Sequence, residues 1–295
     1  MSNLLRALAM VGASCFCLSP AFAQFPPDVL YSSGPSDGLI AVASRPGGGG
    51  KAEIEAADDF FLRSGDGFAI ISSARVTGLL VGANPVITGV KVEIYQIFPN
   101  GSGPPDGRVP TRANSPSDTA FTSRDSSGGT LTYTTQQIAQ SLTAANSVLD
   151  GINPSPGQTT GGEGAVTGQE LSLNVNFGAP IGLVATQAPL FPHYFFVPQV
   201  EVTGGEFYWL SAPRPMSALG TPFPTGITDL QSWVRNDSLD PDWLRVGTDV
   251  VGSGTFNGAL ELRGISGTPE PGALAFAGAG AAAGGLWLLR RRVRR

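Results

Sequence analysis

Leu171, Leu173, Val175 and Phe177 alternate with Ser172, Asn174 and Asn176, so every second side chain is apolar. A period of two gives an extended strand one apolar and one polar face. Val90, Val92 and Ile94 alternate in the same way with Lys91, Glu93 and Tyr95. Further β-rich runs cover 69–81, 193–202, 206–211, 231–234 and 259–265. Gly-Gly, Asn-Gly, Asp-Gly and Asn-Pro pairs punctuate them, and these residues supply the dihedral angles that turns require. A helical period surfaces only at 135–149, through Ile138, Leu142, Ala145 and Leu149. Thr, Asn and Ser are interspersed there, which leaves helix and strand both open.

Three stretches break the alternation. Residues 45–51 contain four consecutive glycines and read as a hinge or loop. Residues 99–118 hold Pro, Gly, Ser, Asn or Asp at 15 of 20 positions and read as a long loop between strands; 153–164 are similar. No repeat of 20–50 residues is present, which argues against a solenoid or propeller. The pattern predicts an all-β protein, a jelly-roll-like β-sandwich with long Gly/Pro-rich loops. Composition agrees: 40 Gly and 24 Pro in 295 residues turn the chain too often for a helical fold. Hydrophobic residues still make up 41%, enough for a core. Charged residues are only 14%, against roughly 25% in ordinary domains, so the surface is largely neutral and polar.

The two ends differ from the middle. Residues 1–23 carry Arg6, an apolar stretch from Ala7 to Leu18, and Ala21-Phe22-Ala23 before Gln24. This is the three-part pattern of a secretory signal peptide cut by signal peptidase after Ala23. Both cysteines, Cys15 and Cys17, fall within it, so cleavage would leave a chain without thiols, as suits an oxidising compartment. At the other end, 272–289 is an uncharged run of 18 residues. As a helix it would reach about 27 Å, close to the thickness of a bilayer core. Trp287 stands near its end, and Arg290, Arg291, Arg292, Arg294 and Arg295 follow, a basic cluster that would keep the C-terminus cytoplasmic. Pro269-Glu270-Pro271 precedes the run, and its prolines hold the backbone extended.

The order of Pro269, Glu270 and Pro271, an apolar helix over 272–289 and an arginine cluster over 290–295 resembles the PEP-CTERM sorting signal of exported bacterial proteins. The resemblance implies an exosortase that reads Pro269–Pro271, cleaves nearby, and releases or re-attaches the protein at the cell surface. It also implies association with extracellular polysaccharide in a Gram-negative bacterium. Segments of this kind also bear the label of an ice-binding-protein C-terminal domain, which describes the tail and not an activity. The expected organisation is a signal peptide at 1–23, an exported ectodomain at 24–267 and a sorting signal at 268–295, with membrane lipid as a further partner.

Within the ectodomain, chemistry is sparse. From Gln24 to Thr268 there are 12 Lys and Arg against 22 Asp and Glu, a net of −10, which repels phosphate backbones and argues against nucleic acid. His193 is the single histidine, so a multi-histidine zinc or iron site is excluded, and a strand position among aromatics is its ordinary reading. Paired carboxylates could serve a glycosidase if they lay roughly 5–10 Å apart. Glu201 with Glu206 and Asp58 with Asp59 are candidates without distinguishing context. Asp237, Asp240 and Asp242 form the densest run of oxygen ligands and could hold a structural calcium, although the turn-forming reading is the stronger one. No other cofactor is implied. Tyr208, Trp209, Trp233 and Trp243 could stack on sugar rings, with core packing the default. The threonines 130, 132, 134 and 135 are too few and unrepeated for an ice-binding array. The expectation is an exported, non-catalytic surface or matrix protein. The alternative is a secreted carbohydrate-active hydrolase working through two carboxylates.

Overall fold

The structure, a computed structural model, describes residues 28–62, 67–99, 107–152, 159–185, 193–213, 215–216 and 230–266. The signal sequence at 1–23 and the sorting segment at 268–295 lie outside the described residues. Among those described are thirteen strands: β1 (Asp28–Ser32), β2 (Ile40–Ala43), β3 (Ile54–Phe61), β4 (Phe68–Tyr95), β5 (Thr122–Asp125), β6 (Leu131–Ala144) and β7 (Asn146–Val148). They continue with β8 (Val166–Val184), β9 (His193–Ala212), β10 (Ser232–Asn236), β11 (Leu244–Arg245), β12 (Asn257–Gly258) and β13 (Leu260–Ser266). The helical content among them is a single π-type turn, Val246–Val251. No described helix is long and apolar enough to cross a membrane.

The strands form one curled sheet, paired antiparallel except where β2 runs parallel to β7. Two long strands organise it. The first part of β4 lies between β13 and β8, and its last part between β9 and β5. β9 in turn pairs with β3 near its start and with β2 near its end. A strand that changes neighbours along its length carries the sheet around a corner, and bulges make the corner. The β4–β9 register shifts between Gly82 and Val86 and again between Ile87 and Gly89. Gly82 has φ +149, and a Cβ there would stand 2.8 Å from the Gly205 Cα, so the crossing needs glycine.

The alternation 69–81 and 90–95 thus belongs to one strand, as does 193–202 with 206–211, because the glycines between them mark bulges and not ends. The open segment 135–149 is strand: β6 and β7 cover most of it, and tertiary pairing with β8 overrides its faint helical period. The glycine run at 45–51 closes a tight hairpin, with Gly48 and Lys51 exchanging backbone hydrogen bonds of 3.0 and 2.9 Å.

The main core lies on one face of the sheet, with Ile71, Val76, Val92, Phe60, Phe196, Phe207, Trp209 and Leu262 among its buried members. A second, smaller core lies on the opposite face: Ala57, Tyr95, Phe195, Val197, Trp233 and Trp243, with Ile97 and Ala120 packed against it. Here both faces of the sheet are covered, with Trp243 and Ala120 from the segments that follow β10 and precede β5 packed on the outer one.

Candidate functional site

Alternation along β4 puts Lys91, Glu93 and Tyr95 on the outer face, opposite Gln199, Val197 and Phe195 of β9. Glu55 and Ala57 of β3 project to the same side, and the β3–β10 register sets Arg235 against Glu55 and Trp233 against Ala57. Of these, Glu55, Lys91, Glu93, Tyr95 and Arg235 line a cleft of about 330 Å³, together with Glu53, Asn236, Asp237 and Asp240. Five carboxylates thus face two cations.

The floor is a connected network. The Arg235 Nε donates to Glu55 Oε2, its Nη2 donates to the Tyr95 Oη at 2.9 Å, and its Nη1 meets Asp240 Oδ1 at 2.8 Å. The Tyr95 hydroxyl donates to Glu55 Oε1 at 2.8 Å and lies 3.4 Å from Glu93 Oε2. Lys91 Nζ pairs with Glu93 at 2.9 Å, and the buried Gln199 Nε2 donates to Glu53 at 2.6 Å. The guanidinium of Arg235 also lies over the Trp243 ring, 4.3 Å from its centroid.

Burial shifts the titrations. Desolvation raises the Glu55 carboxyl above its ordinary range, although Arg235 and Tyr95 pull the other way. Burial lifts the Tyr95 phenol well above 10, and Glu55 and Glu93 add to the effect. Burial works against the Lys91 ammonium, but the hydrogen bond and charge of Glu93 outweigh it and hold its pKa high.

Two further arginines tie the covering segments down. Arg112 pairs with Asp118, reaches Asp242 Oδ1 at 3.3 Å and stacks 3.4 Å above the Phe98 ring. Arg108 donates to the carbonyls of Ser238 at 2.7 Å and Leu239 at 3.0 Å. The carboxylates suggested for calcium have separate partners, although Asp237 and Asp240 line the same cleft: Asp240 faces Arg235, Asp242 faces Arg112, and Asp237 accepts from the Glu53 N–H at 3.3 Å. Among the described residues, no group of three or more His, Cys, Asp or Glu is placed to hold a metal. The turn reading accounts for the run, since Asn236 Oδ1 accepts from the N–H groups of Ser238 and Leu239.

The other sequence candidates do not meet. Asp58 and Asp59 are neighbours on β3 and so point to opposite faces. Glu206 pairs with Arg45 at 2.5 Å and Lys51 at 3.2 Å, whereas the exposed Glu201 lies beside Gly89. His193 opens β9 with its ring edge-on to Phe195 at 5.2 Å. Tyr208, Trp209, Trp233 and Trp243 are buried, as the core-packing default expects, and offer no stacking platform.

A carboxylate pair does exist where the sequence did not indicate it. Glu55 and Glu93 touch the same phenol oxygen, at 2.8 and 3.4 Å, so those two carboxylate oxygens lie no more than about 6 Å apart, an upper bound that overlaps only the short, retaining end of the spacings used in glycoside hydrolysis. The alternation of Lys91, Glu93 and Tyr95 was visible, but its polar face reads as solvated until β3 and β10 are laid beside it. A second cleft, of about 460 Å³, adjoins the first through Lys91, with Thr88, Ser126, Ser127, Asp125, Tyr133 and Glu201 in its walls. No family model matches the chain, and no curated protein or solved structure matches it either.

Proposed function

We propose that this is an exported, non-catalytic surface or matrix protein. In this reading its curled sheet is a jelly-roll-like sandwich, 1–23 direct export through the inner membrane, and 268–295 form an exosortase sorting signal. The mature protein lies at the surface or in the extracellular matrix of a Gram-negative bacterium and associates with polysaccharide. One observation carries the non-catalytic part: each carboxylate lining the 330 Å³ cleft has a cation or hydrogen-bond donor of the protein against it. Acids so engaged act as a latch between strands and not as a poised base. The two adjoining clefts, rich in hydroxyl and carboxylate groups, suit neutral or amino-bearing glycans better than anionic ones.

Intact mass of the protein from its native host tests the sorting reading. The expected species begins at Gln24 and ends between Pro269 and Gly272, and Glu270→Ala should retain Trp287 and the arginine cluster. A wild-type species that keeps the whole tail would leave a plain anchor and remove the exosortase.

The hydrolase alternative has one observation in its favour, the Glu55–Glu93 pair with burial raising Glu55. Cleavage of a neutral glycan, lost in both Glu55→Gln and Glu93→Gln with the fold intact, would displace the non-catalytic reading.

A further inference from the structure

Strand β6 is 14 residues long and, among the described residues, pairs on one side only, with β8. Its other edge therefore presents a row of backbone donors and acceptors. Proteins usually protect such an edge with Lys, Pro or covering segments. Within the strand itself neither guard is present, since LTYTTQQIAQSLTA contains no charge and no proline, and among the described residues no other strand pairs with this edge. Thr132, Thr134, Thr135, Gln136, Gln137 and Ile138 are exposed. The neighbours on β8 are uncharged as well, since Asn176, Asn174 and Ser172 stand opposite Thr132, Thr134 and Gln136. Bulges interrupt the register beyond Gln137, but residues 131–137 pair with β8 without a break.

We infer that β6 is a docking edge for a second copy of this chain, joined antiparallel about a two-fold axis at Thr134. Closed pairs of identical chains favour such self-complementary patches. An axis at Thr134, the centre of the regular stretch, sets Thr134 against itself, Tyr133 against Thr135 and Thr132 against Gln136. Thr–Thr hydrogen bonds and aromatic–β-branched pairs are among the combinations that stabilise antiparallel neighbours. No like charges meet anywhere along the seam. The pairing would extend the β8–β6 sheet continuously into the partner. It deepens the matrix reading by supplying a cross-link between molecules, and it rests on that reading only for its biological use.

The test uses the full chain with Cys15→Ser and Cys17→Ser, so that an introduced thiol is the sole one. Thr134→Cys should form a disulfide-linked dimer under mild oxidation, because Cα atoms directly opposite in an antiparallel pair lie about 4.5–5.5 Å apart, within the span of a disulfide. Ser253→Cys, exposed outside the strands, serves as control and should stay monomeric. Thr134→Lys places two ammonium groups opposite each other and should weaken dimerisation roughly tenfold in sedimentation velocity, with an unchanged circular dichroism spectrum. Equal cross-linking at 134 and 253, or sedimentation unaffected by Thr134→Lys, would overturn the inference, the latter by tracing association to another surface such as the apolar run 272–289. All readouts use purified protein, so a failed sorting reading leaves them interpretable.

Discussion

Asp58 lies fully buried on the core-facing side of β3, opposite Phe196 and Ser232. Desolvation pushes its carboxyl up to about 8 from 3.8, against hydrogen bonds from the Gly258 N–H and, at 2.8 Å, the Ser232 hydroxyl. The folded chain therefore keeps a proton that the unfolded chain releases near pH 4. Over that window the native state binds more protons, so this contribution to stability is complete below pH 4 and is lost as pH rises through about 8. Glu55, also raised, acts in the same direction. Asp58→Asn should flatten the fall in melting temperature between pH 5 and 8. At pH 8 it should melt above wild type by at least about 2–4 °C, the shift that one kcal/mol produces in a domain of this size. A melting profile as steep as wild type would refute the assignment. The sequence showed Asp58 beside Asp59 but gave no sign of this, because burial depends on what packs over the strand.

Among the elements, the join between β3, β4 and β10 depends most on a single side chain. Arg235 contacts Glu55, Tyr95, Asp240 and Trp243, and its side chain is only 7% exposed. Arg235→Met keeps the packing volume but leaves Glu55 buried without its cation. A loss of about 3–5 kcal/mol in denaturant unfolding is expected, as for other broken buried pairs. Adding Glu55→Gln should recover part of it, and a double variant no better than the single would show that the pair itself is unimportant. The strands of this join were legible in the alternation of 90–95 and the β-rich run 231–234. Their pairing was not: β3 and β10 are separated by 170 residues or more, and no local spacing reports such a register.

For the molecule as a whole, the two cores share β3, β4 and β9, so neither can open without breaking the sheet of the other. Trp209 reports on the main core, and Trp233 and Trp243 on the smaller one. With Trp287→Phe removing the tail fluorophore, tryptophan fluorescence and far-ultraviolet dichroism should give coincident unfolding midpoints. Separate midpoints would mean that the outer layer unfolds by itself. The sequence by itself determined the class of fold, since a period of two with frequent turn residues permits little but β structure. It determined the acidic, sparsely charged character of the ectodomain and the expectations for both ends, which depend on short contiguous patterns. Tertiary structure alone decided that 131–144 is a strand, that Glu55 meets Glu93 across Tyr95, and which partners the aspartates at 237, 240 and 242 take. The physical reason is distance along the chain: alternation is set by neighbours, whereas partners, burial and charge pairing are set by strands that the sequence holds far apart.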